Sequence, residues 1–205
     1  MIIQTSALKN KSVPFKTGKG LSRELLNKIQ ITGGMHGWDS IVPCPTENIV
    51  TRHWVQLKCR YGCKNYNTNW CCPPASIDTE KAREILNEYE TAIMLVGSQQ
   101  CSSFYNKKNR KRLSQVRYWK ETVSVERFLF LEGYYKAFSL VSGPCALCKN
   151  CGYPDYCYFP QERRPSMESF SIDVIATTEK LEIAAPTVAN TIKDTYHHYA
   201  IILVE

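Results

Sequence analysis

The sequence has no apolar run long enough to cross a bilayer and no leader-like start. Its longest apolar stretches, residues 92–97 and 199–204, are strand-length, whereas a spanning helix needs about 20 apolar residues. The first residues also lack a charged n-region followed by an apolar h-region. We therefore expect a cytoplasmic protein with reduced cysteines and no membrane association.

Several catalytic patterns are missing as well. The four histidines show neither zinc-protease nor catalytic-triad spacing. The segment Gly18-Lys-Gly20 lacks the strand, the spacing and the Ser or Thr of a phosphate-binding loop. The overall composition, with 205 residues, 43% hydrophobic and 22% charged, is typical of one globular domain with a sizeable core.

Cysteine, in contrast, is abundant. The chain has ten, and seven of them fall into two groups whose spacing indicates a metal centre. These are Cys59, Cys63 and Cys72 in the first group, and Cys145, Cys148, Cys151 and Cys157 in the second.

The second group has the more specific spacing. Cys145, Cys148 and Cys151 follow one another at two-residue intervals, so their loop can wrap three corners of a [4Fe–4S] cluster, with Cys157 as the fourth ligand. The run is similar to that of bacterial ferredoxins, except that five residues rather than three precede the last cysteine. Zinc is the competing cofactor, although its sites usually combine two separated C-x-x-C knuckles. Disulfides or unbound thiols are the least favoured interpretation.

The first group leaves one ligand unassigned. Cys59 and Cys63 are followed by Cys72, which Pro73 makes a better ligand candidate than its neighbour Cys71. Cys71 would then be a small buried hydrophobe. Radical-SAM spacing is absent, because the third cysteine comes too late. Two cubes need eight thiolates, and the two groups offer seven. The eighth ligand is Cys44, Cys71 or Cys101, or Cys157 serves the first site, or one iron has no cysteine.

Several ordered motifs outside the cysteines carry a family resemblance. Together with the cysteine loops, the runs at 133–137, 164–168 and 172–174 resemble an uncharacterised family of predicted metal-binding proteins common in anaerobic bacteria and archaea. The resemblance spans about residues 50–205. It implies that the functional cysteines are Cys59, Cys63, Cys72, Cys145, Cys148 and Cys151.

Periodicity predicts a mixed fold. Alternation over 52–58 predicts a strand that delivers Cys59, and helical spacing over 79–90 predicts a helix capped by Asp78. Continuous apolar residues predict a buried strand at 91–97. A helix within 109–141 that leads into the second cysteine loop, a short helix at 177–184 and a strand at 199–204 follow.

We therefore predict an α/β or α+β fold with a small central sheet, flanking helices and two cysteine-rich metal-binding loops. Residues 51–205 would form a single metal-binding domain after a loop-rich N-terminal segment of residues 1–50. By analogy with open sheets, the metal loops are expected outside the strand ends.

A concentrated basic block precedes the long helix. It can contact nucleic-acid phosphates, dock an acidic redox partner or form a solvated face. Its members are Lys107, Lys108, Arg110, Lys111 and Arg112.

Two functions fit these patterns best. The first is cytoplasmic electron transfer through one or two [4Fe–4S] clusters. The second is an enzyme that uses an iron without a cysteine ligand for substrate or sulfur chemistry. A zinc-stabilised nucleic-acid-binding module is the weaker alternative.

Overall fold

The computed structural model describes residues 21–32, 37–100, 108–183, 191 and 193–205. Within these residues the strands are β1 (Ser40–Pro45), β2 (Thr91–Gln100), β3 (Phe138–Leu140) and β4 (Thr195–Leu203). The α-helices are α1 (Arg23–Thr32), α2 (His53–Gly62), α3 (Thr79–Leu86), α4 (Lys108–Leu131) and α5 (Val174–Lys180).

The strands form one antiparallel sheet in the order β1-β2-β4-β3. The two central strands, β2 and β4, are apolar at successive positions because both of their faces are covered. Met94, Ile201 and Leu203 face one core, which α3 also contributes to, whereas Ile93, Leu95 and Ile202 face the other, which α1 and α4 complete. The predicted mixed fold with a small sheet flanked by helices is confirmed.

Several predicted elements are confirmed in place. Helix α3 begins after Asp78, whose side chain accepts a hydrogen bond from the backbone N–H of Lys81. Strand β2 covers the predicted run 91–97, and β4 begins earlier than predicted, at Thr195, and ends at Leu203, one residue before the predicted end at 204. The short helix predicted at 177–184 begins earlier, at Val174, because Asp173 caps it by accepting from the backbone N–H of Ala176.

Two predictions for the middle of the chain are wrong. The segment predicted as a strand over 52–58 lies in helix α2 from His53 onward, with Arg52 as the N-cap residue. The long helix does not continue to the second cysteine loop but ends at Leu131, before Gly133, whose φ of 102° is unfavourable for other residues. Strand β3 therefore separates the helix from the cysteines.

The N-terminal part also departs from its loop-rich prediction. Of its described residues, Arg23–Thr32 form α1, and Ser40–Pro45 form an edge strand that pairs with β2. Because the sheet is antiparallel, the analogy with ligand sites at the strand ends of open parallel sheets does not apply here. Among the described residues, no helix is both long and apolar enough to span a membrane.

Helix α2 depends on tertiary contacts for its position. Its N-cap residue, Arg52, makes no side-chain capping hydrogen bond, and its buried residue is Val55. The backbone N–H of Arg52 donates to Ser171 O (2.9 Å), and Gln56 Nε2 donates to Ser171 Oγ (2.8 Å). Alternation over seven residues could not reveal these partners, because they lie more than a hundred residues away in sequence.

A buried ion pair joins α4 to the segment that follows the second cysteine group. Arg164 donates through Nε and Nη2 to the two carboxylate oxygens of Glu126, and Glu126 Oε2 also accepts from the backbone N–H of Ser139 at 2.8 Å. The two side chains are only 13% and 10% exposed. Bidentate geometry and the additional backbone donor offset the cost of burying both charges.

We predict that Glu126→Gln lowers the free energy of unfolding by roughly 3 kcal/mol, because it leaves the Arg164 charge buried without its counter-ion. Urea denaturation of the purified protein measures the change. Glu84→Gln, which disrupts the exposed pair with Lys81, is the matched control and should have little effect. Equal midpoints for the two variants would show that Glu126 does not stabilise the fold through its charge.

Candidate metal centre

The first cysteine group is presented by the end of α2 and the loop that follows it. Cys59 lies in the last turn and Cys63 is the C-terminal cap residue. Residues four apart on a helix lie on the same side, so the helix brings these two thiols together. Cys72 lies close to both: all three cysteines line one cavity, and Cys63 and Cys72 both raise the pKa of Cys59.

Asparagines fold the loop between Cys63 and Cys72. Asn69 Oδ1 accepts from the backbone N–H of Cys71 at 3.0 Å, and the Asn69 side chain also hydrogen-bonds Cys72. Asn67 adopts a left-handed conformation with φ 55°, which asparagine tolerates, and its N–H donates to Pro73 O (2.8 Å). These local bonds order a polar loop that would otherwise have little apolar content to hold it.

Helix α4 holds the second cysteine loop. Gln115 Nε2 donates to Pro144 O (2.5 Å), and Arg112 Nη2 donates to Leu147 O (2.8 Å). Further along the same helix, Trp119 Nε1 donates to Glu162 O at 2.7 Å. The side chains of one helix face thus bind the loop carbonyls on either side of the cysteines.

The turn between Cys151 and Cys157 requires a glycine. A Cβ atom on Gly152 would lie 2.8 Å from ring atoms of Tyr156 and 2.9 Å from its carbonyl oxygen. The backbone N–H groups of Asp155 and Tyr156 both donate to Gly152 O, so the chain reverses tightly at this point. The close approach explains how five intervening residues can return Cys157 to the other three cysteines.

Three contacts fasten the first cysteine loop to the second. Trp70 Nε1 donates to Tyr156 O (3.0 Å), and the Trp70 ring packs edge-on against Tyr153 with centroids 5.1 Å apart. Tyr153 Oη in turn donates to Asn67 Oδ1 at 2.8 Å. The Arg163 guanidinium lies over the Trp70 ring, 5.2 Å from its centroid. We call these residues the loop clip.

Two thiols meet between the groups. Cys71 donates a hydrogen bond to Cys145 and also lies near Cys72 and Cys157. Both are packed in a small apolar cluster with Trp119, Val123 and Leu147. Cys71 is therefore buried, as predicted, but its thiol faces the second group. Each of eight cysteines interacts electrostatically with at least one other, and we call this set the patch: Cys59, Cys63, Cys71, Cys72, Cys145, Cys148, Cys151 and Cys157.

The thiols of this patch have unequal acidities. The hydrogen bond from Cys71 lowers the pKa of Cys145 to about 7 despite its burial, and the same bond raises the pKa of Cys71. Burial, with the neighbouring Cys63, Glu168 and Cys72, raises the pKa of Cys59 to about 11. The lowered pKa of Cys145 favours its thiolate, the form that binds metals.

Arg112 brings a positive charge to the second group. Burial raises the pKa of Cys148, and the Arg112 guanidinium opposes that rise. Arg112 Nε is buried and has no hydrogen-bond partner in the described structure. An anionic centre bound by Cys148 and its neighbours would be balanced by this cation. The donor set and the unused N–H together fit a thiolate-bound metal cluster.

A cavity of about 450 Å³ adjoins the first group. Its wall contains Cys59, Cys63 and Cys72, and it continues to the side chains of Trp54 and Glu168. Cavities of this size accommodate small organic ligands. Sequence patterns gave no indication of it, since its lining comes from segments that are far apart in the chain.

Among the described residues, the candidate Cys44 lies apart from the patch. Cys44 lies in β1, fully buried in the sheet core, and burial alone raises its pKa to about 12. Cys101 and Lys107 lie outside the described residues, as do the side chains of Lys108, Arg110 and Lys111. Of the basic block, Arg112 is engaged with the second cysteine loop. Arg164, close to that loop in sequence, is paired with Glu126.

The described cysteines are all free thiols. No three His, Cys, Asp or Glu side chains of the described residues are arranged around a point where a single metal ion would bind. Seven members of the patch are the grouped cysteines of the sequence, and the eighth, Cys71, is one of the three candidates that the sequence left open for the missing ligand.

Comparison with known proteins places this site in a family. The family model described as "Predicted metal-binding protein (DUF2284)" matches residues 43–204, which include the whole patch. Neither the curated proteins nor the solved structures contain a match. Because the family model covers most of the chain, the protein belongs to the DUF2284 family of predicted metal-binding proteins.

Proposed function

We propose that the protein binds two [4Fe–4S] clusters and transfers single electrons. The observation that carries this proposal is the patch of eight thiols built from both cysteine groups. A [4Fe–4S] cluster takes four thiolates, so eight correspond to two clusters. The contact between Cys71 and Cys145 supplies the ligand that the two sequence groups lacked.

The proposed ligand sets follow from the contacts. Cys59, Cys63 and Cys72 bind the first cluster, whereas Cys148, Cys151 and Cys157 bind the second. Cys71 and Cys145 lie between the groups. One of these two thiolates completes the first cluster, and the other completes the second. In two-cluster ferredoxins a cysteine of one run likewise binds the other cluster. Two clusters that share such a boundary are close neighbours, as a path for electrons requires.

The surrounding residues suit a redox role. When bound, a [4Fe–4S] cluster accepts and releases one electron at a time. Its potential depends on nearby charge, hydrogen bonds to sulfur and burial. Arg112 supplies a cation and an unused N–H at the second site, which favours the more negative, reduced state. Trp119 and Leu147 shield the boundary between the sites from water.

Iron is favoured over zinc by spacing. Three thiolates at two-residue intervals suit the corners of a cube, whereas structural zinc sites usually draw on two separated pairs. Zinc nevertheless accepts four thiolates, so it is the alternative that the experiments below distinguish.

The metal can be identified directly. We expect anaerobically purified protein to be brown, to absorb broadly near roughly 400 nm and to contain about eight iron and eight sulfide per chain. Iron, sulfide and zinc assays measure this. Exposure to air should bleach the colour because oxygen attacks the clusters and their thiolates. Stoichiometric zinc without sulfide would contradict the proposal.

The eighth ligand is tested by Cys71→Ala. Losing one ligand should release one cluster, so that iron falls from about eight to about four per chain. Cys145→Ala should do the same. Cys44→Ala is the control and should retain all the iron, because Cys44 lies in the sheet core. Circular dichroism confirms that each variant is folded. Full iron content in folded Cys71→Ala would exclude it as a ligand.

The cavity beside the first group supports a second candidate function. If Cys59, Cys63 and Cys72 are the only ligands of their cluster, one iron is open toward the cavity of about 450 Å³. An open iron acts as a Lewis acid for a bound substrate. In this case the protein is an enzyme, and its substrate lies between Trp54 and Glu168.

Electron paramagnetic resonance separates the two functions. Cyanide added to reduced protein should leave the signals of two four-cysteine clusters unchanged, since no iron has a free position. Cys71→Ala and Cys145→Ala, which should each retain one cluster, provide the spectrum of a single four-cysteine cluster for comparison. A cyanide-dependent change in the wild-type protein, confined to one cluster, would favour the enzyme.

A further inference from the structure

Helix α2 carries an apolar stripe on its solvent side. Trp54, Leu57 and Tyr61 are 42%, 57% and 77% exposed. Their spacing of three and four residues places them along one side of the helix. A helix that covers a core normally turns such residues inward, so this stripe suits contact with another molecule.

Basic side chains flank this stripe, whereas the acidic groups near α2 contact other residues of the helix: Glu80 pairs with His53, and Glu168 lies near Cys59. The sequence has Arg52, Lys58, Arg60 and Lys64 but no Asp or Glu between Glu47 and Asp78. Lys58 Nζ lies 5.0 Å from the centroid of Trp54, and the Arg60 guanidinium lies 5.5 Å from that of Tyr61. Cations packed on the aromatic rings give the stripe a basic rim. We call this surface the α2 face.

The α2 face adjoins the first cysteine group. Cys59 lies between its residues in the sequence of the helix, and Cys63 caps the same helix. Cys63 is itself exposed. A molecule bound on this face would therefore lie next to the ligands proposed for the first cluster.

We propose that the α2 face docks a small acidic electron-carrier protein. This inference rests on the proposed electron-transfer function. An apolar centre with a charged rim is typical of protein interfaces, and complementary charge speeds encounter more than it tightens binding. That behaviour suits a carrier that must bind and leave quickly. A carrier docked here would lie beside Cys59 and Cys63, which would hold the cluster that donates one electron to the carrier's oxidised flavin, and the flavin would take its proton from solvent.

The test uses iron-loaded, dithionite-reduced protein and an acidic flavodoxin as the acceptor, followed by stopped-flow absorbance. Leu57→Glu and Arg60→Glu should each slow the second-order reaction on the order of tenfold at low salt. Ile31→Glu and Lys28→Glu are the matched controls on α1, where Ile31 is 82% exposed. The controls should react within about twofold of the wild type.

Two further acceptors separate docking from redox chemistry. Lumiflavin carries the same redox group without a protein surface, so all variants should reduce it equally. Cytochrome c, which is basic, should react slowly with the wild type, and Leu57→Glu should not slow it further. Added salt should slow the flavodoxin reaction and not the lumiflavin reaction, because only the former is steered by charge.

The possible outcomes separate docking on the α2 face from electron transfer itself. Equal flavodoxin rates for the wild type, Leu57→Glu and Arg60→Glu would overturn the docking inference alone, provided that lumiflavin is reduced. A protein that reduces neither flavin would overturn electron transfer as well. A wild-type dimer that Leu57→Glu dissociates, seen by light scattering, would show that the α2 face binds a second copy and would also overturn the inference.

Discussion

The site depends on the contact between two loops that are about eighty residues apart in the chain. Trp70 and Tyr153 pack edge-on, and hydrogen bonds from Trp70 and Tyr153 reach across to the opposite loop. Each aromatic side chain combines a large apolar surface with one polar group, so it can bury area and fix orientation at once. Asparagine bonds order the first loop and α4 holds the second, but the loop clip is what joins one loop to the other. With it, Cys71 and Cys145 come into contact.

The sheet serves the site mainly as a support. Its two buried central strands carry the cores, and α4 extends from them to the cysteines. The C-terminal half of α4 packs on the sheet through Val125 and Leu129. Nearer the middle of the helix, Trp119 and Val123 pack in the cluster that contains Cys71 and Cys145. One helix thus connects the sheet core to the part that would carry the metal. The buried pair of Glu126 and Arg164 braces the return of the chain from the second loop.

Electron transfer and open-iron catalysis place different demands on the same residues. A carrier needs both clusters fully ligated and a surface where partners bind briefly. An enzyme needs a free coordination position that faces a cavity. The position of Cys71 supports the first, and the cavity beside Cys59 supports the second. The α2 face lies next to the same cysteine group, so partner and ligand would approach it from neighbouring sides.

Sequence patterns were sufficient for the features that local physics controls. The Asp78 cap, the buried run of β2 and the cysteine spacing each reflect interactions among residues close together in the chain. The same reasoning predicted the metal-binding character that the family match supports.

Long-range contacts decided the rest. Residues 52–58 alternate like a strand, but Gln56 and Arg52 bind Ser171 and hold the segment as a helix. In the sequence, Cys71 stands beside the better ligand candidate Cys72 and is not part of any metal-binding spacing pattern. Only its contact with Cys145 shows that it belongs to the patch. Alternation and spacing describe how a segment relates to its neighbours in sequence, whereas burial and ligand geometry depend on segments that folding brings together.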